Sequence, residues 1–176
     1  MSSAPHSFKG STLFWSMGPF LVVLFLVFLT FVPFQLPFSA IELPLPLLGL
    51  FYWAVFRPDS LSVGVVFVLG LLVDLLGGLP IGSYAFLYVF LFSLTKTQRR
   101  FLLGQGFIVV WFAFLLVCMI HQAALWLGFS FFQPSAGVPI YPLLFGGLAV
   151  AALLPVVIPA LNAMNGRLDR AEEEAL

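Results

Sequence analysis

Six apolar runs make up most of this chain, and almost no charge enters them: residues 14–32, 43–56, 61–77, 81–94, 101–127 and 138–161. An α-helix rises about 1.5 Å per residue and needs about 20 residues to cross about 30 Å of hydrocarbon. Four of the runs approach that length, whereas the second and fourth, at about 14 residues and 21 Å, are too short alone and need flanking turns or a locally thinned bilayer. The whole chain is 62% hydrophobic and 8% charged, against roughly 45–50% and 25% in soluble domains. The solvent for such a sequence is a bilayer, and its function lies within the membrane or at its surface. Seven Lys and Arg balance seven Asp and Glu, so there is no clustered basic surface from which to build a nucleic-acid site. The single cysteine, Cys118, and two distant histidines provide neither a disulfide framework nor zinc-ligand spacing, and no cofactor is expected. The first run, about 20 residues from Leu13, exceeds a signal-peptide core and lacks a small-x-small cleavage site, so it is expected to remain as an anchor.

The breaks between runs are as informative as the runs. Gly77-Gly78-Leu79-Pro80-Ile81-Gly82 combines poor helix formers with good turn formers and predicts a tight hairpin between the third and fourth helices. Residues 33–46 hold four prolines and no basic residue, which predicts an extended segment along the outer surface. Ser39-Ala40-Ile41-Glu42 has capping-box spacing for a helix start. Lys9, Arg57, the cluster Lys96, Arg99 and Arg100, and the pair Arg167 and Arg170 fall on alternate sides of the six runs. Basic residues near span ends are retained in the cytoplasm. All seven are therefore inside, the number of crossings is even, and both termini are cytoplasmic. The expectation is an all-α integral membrane protein of the bacterial inner membrane: a six-helix domain over residues 1–166, then a short charged tail, 167–176, forming a solvated helix end.

Few residues can carry chemistry. Asp74 is the only acid deep in an apolar run, and burying its charge is costly unless it is paired or protonated. At helical spacing Val63, Phe67, Gly70, Asp74 and Gly77 share a face on which the glycines admit a neighbouring helix. Asp74 suits either a proton relay or acceptance of hydrogen bonds from the free N–H groups opening the next helix, around Ile81 to Ser83. Its depth beside that turn favours the second role. His121 lies at a similar depth, where it could pair with Asp74 or donate to a carbonyl. Trp15, Trp53, Trp111 and Trp126, with Tyr52 and Tyr141, lie towards run ends, as an interfacial aromatic belt requires. The sequence contains no Gly-x-Ser-x-Gly, no His-Glu-x-x-His, no paired intramembrane aspartates and no phosphate-binding glycine loop, so no enzyme activity is expected.

Tyr52-Trp53-Ala54-Val55-Phe56-Arg57-Pro58-Asp59, followed by Phe67-Val68-Leu69-Gly70-Leu71-Leu72-Val73-Asp74-Leu75-Leu76-Gly77-Gly78-Leu79-Pro80-Ile81-Gly82, resembles the signature of the bacterial rod shape-determining MreD family. Length, six runs, the basic cluster after the fourth run and the short charged tail resemble that family too. The resemblance implies a non-enzymatic membrane subunit of the cell-elongation machinery that binds MreC. Through MreC it would connect to cytoplasmic MreB filaments and to the glycosyltransferase and transpeptidase of lateral peptidoglycan synthesis. It also implies a fold related to the substrate-binding subunits of energy-coupling-factor transporters, so a vitamin-type transporter subunit is the alternative. Against that alternative, the first run lacks an alanine docking motif, and polar residues able to fix a solute are few. Within the matching stretch, Pro58 is expected to stop the second helix and Arg57 to anchor it in the cytoplasm. Asp59 is expected to pair with Arg57 or to cap the third helix.

Overall fold

A computed structural model describes residues 18–31, 43–77, 80–132 and 140–173. Six helices account for nearly all of them: α1 (Gly18–Thr30), α2 (Pro46–Phe56), α3 (Val63–Gly77), α4 (Ser83–Leu103), α5 (Phe107–Phe132) and α6 (Ile140–Glu173). The capping-box residues 39–42, Trp15 and Lys9 lie outside the described residues. Two helices, α5 and α6, are long and apolar enough to cross a membrane by length and composition.

The short runs resolve in opposite ways. The fourth is extended rather than short, because α4 continues through Thr95 and the basic cluster to Leu103 and reaches 21 residues, about 31 Å. The second is shorter than its apolar run, at 11 residues, about 16 Å. Every residue of α2 from Pro46 to Val55 is buried, enclosed chiefly by α1, α4 and α6. A helix sheathed in protein need not match the hydrocarbon thickness, since neighbouring side chains rather than lipid meet its ends. Val55 of α2 accepts from Arg99 of α4, so the C-terminal ends of these two helices lie together, and Tyr52 of α2 bonds Asn162 of α6.

Burial in α2 overturns the belt reading for two aromatics. Tyr52 and Trp53 are 1% and 0% exposed, so they are central core residues rather than interfacial anchors. Trp111 departs from it for another reason. Pro155 sits inside α6 and has no N–H to give the carbonyl four residues back, which is that of Ala151. The Trp111 indole N–H donates to that carbonyl at 2.9 Å, closing the gap from the neighbouring helix. Trp111→Phe should orphan it and cost about 1 kcal/mol; denaturant titration of the purified protein measures this. A loss no larger than for an exposed control such as Phe112→Leu would refute the pairing.

The helices approach closely where side chains are absent. The most extensive contact is α3 against α4, and it centres on Gly70. A Cβ there would collide with the Ala85 Cα, and would lie 2.8 Å from the Ala85 nitrogen and 2.9 Å from the Tyr84 oxygen. The buried face of α3 is Val66, Leu69, Gly70, Val73 and Asp74. Val63, Phe67 and Gly77, placed on that face by spacing alone, are exposed. Two antiparallel helices meet along a stripe alternating three and four residues, which keeps Gly70 and Asp74 and turns the others outward. Helix α6 runs unbroken across residue 166 to Glu173.

Candidate functional site

Two polar clusters lie towards opposite ends of α4, about 21 Å apart along its axis. The first is built on Asp74, which is fully buried. The first four N–H groups of any helix lack intrahelical acceptors, and those opening α4 face this carboxyl. Asp74 Oδ2 accepts from the N–H of Gly82 at 2.9 Å and of Ala85 at 3.3 Å; Oδ1 accepts from Tyr84 at 2.9 Å. Asp74 thus caps the N-terminus of α4 from the neighbouring helix, slightly deeper than Ile81–Ser83. The turn needs its glycine, because Gly82 has φ +102°, a conformation costly for a residue with a Cβ. Pro80 is exposed and its carbonyl accepts from Ser83 N–H at 3.2 Å. Gly77 closes α3, and Gly78 lies outside the described residues.

His121 sits close by on α5, fully buried, but the structure does not join it to Asp74. Its Nδ1 lies 3.2 Å from Gln122 Oε1, and its ring packs against Tyr84 and Tyr88 with centroids 5.3 and 5.7 Å away. Tyr84 is the link: its backbone N–H goes to Asp74 and its ring to His121. Among the described residues His121 Nε2 and Trp53 Nε1 are buried without a hydrogen-bond partner.

The second cluster surrounds the Arg57-Pro58-Asp59 corner. Pro58 follows the end of α2, where Arg57 leaves helical geometry with φ −140° and its N–H bonds the Trp53 carbonyl. Arg99 Nε donates to the Val55 carbonyl at 2.7 Å and Lys96 Nζ to the Pro58 carbonyl at 2.9 Å. Both cations therefore satisfy carbonyls at the negative end of α2. Asp59 lies 3.8 Å from Lys96, and it is Ser62 that caps α3, its hydroxyl accepting from Val65 N–H. The spacing of Lys96 and Arg99, three residues apart on one helical face, was the available signal for this role, which a reading as cytoplasmic anchors alone passes over. Nothing in the sequence pointed to Asn162, whose side chain accepts from the Tyr52 hydroxyl at 2.6 Å.

Chemically, these clusters close helix ends. Among the described residues no three His, Cys, Asp or Glu gather as metal ligands. A gap between α2, α4 and α5, lined by Leu47, Phe51, Tyr88, Thr95 and Val117 among others, holds about 10 Å³, room for about one water.

A family model described as rod shape-determining protein MreD matches residues 9–163. Neither the curated proteins nor the solved structures contain a match.

Proposed function

The chain belongs to the MreD family of rod shape-determining membrane proteins, and from that premise we propose that it is a non-enzymatic subunit of the cell-elongation complex. In this role it binds MreC within the membrane and, through it, couples cytoplasmic MreB filaments to lateral peptidoglycan synthesis. The family match over most of the chain carries the reading. The architecture proposed with it is six crossings with both termini cytoplasmic, a fold of the kind found in energy-coupling-factor substrate-binding subunits without their transport role. Its orientation is supported by the gathering of Arg57, Lys96 and Arg99 where α2 and α4 end together, as cytoplasmic retention of basic residues requires. The polar clusters fit a scaffold, since each closes a helix end inside the bundle and leaves the outer helix faces apolar for lipid or a partner's transmembrane helix.

The test is capture of MreC by the tagged full-length chain, solubilised in mild detergent from cells that depend on it for rod shape. MreC should co-purify, and cells depleted of the chain should round up. A chain that retains a tightly bound small solute and captures no MreC would instead be a transporter subunit.

A further inference from the structure

The cations of α4 are used unequally. Lys96 is tied to Pro58 and Asp59, and Arg99 turns inward to Val55. Arg100 is exposed, and among the described residues it has no ion pair or side-chain hydrogen bond. It flanks an outward stripe of Phe86, Phe90, Leu94 and Phe101, all exposed, lying one residue before Phe101 and about 100° round the helix from it. The rings of Phe86 and Phe90 stack with planes 12° apart and centroids 6.3 Å apart, giving the stripe a flat wall. Thr97, between Leu94 and Arg100, bonds its hydroxyl back to the Ser93 carbonyl at 2.9 Å, so it offers that donor to nothing outside. From Phe86 to Arg100 the helix rises about 21 Å, which is about half the bilayer thickness counted with its headgroups and so the depth of one leaflet.

An apolar track one leaflet long, flanked at its far end by a guanidinium unpaired among the described residues, has the dimensions and polarity of one phospholipid molecule, chains along the wall and phosphate at the cation. Arginine is well suited to that end because its fork matches a phosphate's oxygens in pairs. We infer that the outer face of α4 is a binding site for an anionic phospholipid, with the acyl chains on Phe86, Phe90, Leu94 and Phe101 and the headgroup phosphate on Arg100. The occupant carries a net negative charge because among the described residues no carboxylate neutralises Arg100, and a zwitterionic headgroup brings its own cation to the same place. The inference requires that α4 cross the bilayer and is independent of any protein partner.

The experiment uses the full-length chain in a non-ionic detergent, titrated with phosphatidylglycerol or with phosphatidylethanolamine, and counts retained lipid by native mass spectrometry. Phosphatidylglycerol should be retained about fivefold more tightly than phosphatidylethanolamine, the effect of one cation near a membrane surface. Arg100→Gln should abolish that preference, Arg100→Lys should keep it, and Phe90→Ala should weaken retention of both lipids. Equal retention of the two lipids by the unaltered chain, or an undiminished preference in Arg100→Gln, overturns the site and leaves Arg100 as a hydrated surface cation. Displacement of the lipid by excess inorganic phosphate would show that the headgroup anion alone is bound, and would overturn the role of the aromatic track. Because MreC capture is measured separately, failure here leaves the elongation-complex reading standing, and the reverse also holds.

Discussion

Replacing Asp74 with alanine should destabilise the protein by about 3–5 kcal/mol, because three N–H groups opening α4 lose their acceptor at once and a buried donor left bare costs about 1–3 kcal/mol. The bonds to Tyr84 and Ala85 are buried, so water cannot readily replace the carboxyl there. Fraying of the first turn of α4 would recover part of the loss, which keeps the total below the simple sum. Asp74→Asn should fall between the parent and alanine: one oxygen still accepts, while the amide presents donors to donors. Both variants are read by the fraction folded in a denaturant series and by the amount of chain in the membrane. If Asp74→Asn folds and inserts like the parent but cells lose rod shape, the carboxyl acts through its charge and the capping account is wrong. If stability and shape fall together, the residue holds the hairpin.

Gly70→Ala should cost about 3 kcal/mol, at the upper end of what one inserted methyl does to a packed interior. The obstacle is the backbone of α4 at Tyr84 and Ala85, which cannot move aside as a flexible side chain can. For the same reason Ala85→Gly should give no rescue, since the Cα and nitrogen of residue 85 remain. The damage should also reach Asp74, because Gly70 sits one helical turn away on the same face and its close approach brings Tyr84 and Ala85 N–H within reach of the carboxyl. The combined variant Gly70→Ala, Asp74→Ala should therefore lose less than the sum of the two single losses, as expected for residues sharing one contact. Strict additivity would mean that the close approach and the cap are independent.

The hairpin was the most legible part of the molecule. A run of glycine and proline between two apolar segments can do little other than turn, and a lone acid next to such a turn has free N–H groups as its nearest donors. Only the addresses shifted, from Ile81–Ser83 to Gly82, Tyr84 and Ala85, since the sequence does not fix where the first turn of α4 begins. The aromatic residues were the least legible. Tyr52 and Trp53 lie near the end of an apolar run, and proximity to a run end is what an interfacial residue shows in sequence. Their burial follows from α2 being enclosed, which no property of residues 43–56 reveals. The inward turn of Arg99 beside the outward Arg100 is equally a matter of which neighbour α4 meets.

By itself the sequence determined what depends on composition and order: helices for a bilayer, the positions of the breaks, the placement of every basic residue at alternate breaks, and the match to a family of shape-determining proteins. Tertiary structure alone decided which helix is central, which cations close the end of α2, and which indole bonds the carbonyl freed by Pro155. The reason lies in the solvent. In water a helix announces its buried side by the polarity of the other, but in a bilayer the lipid-facing and protein-facing sides are both apolar, so the period of the sequence carries little record of which side packs.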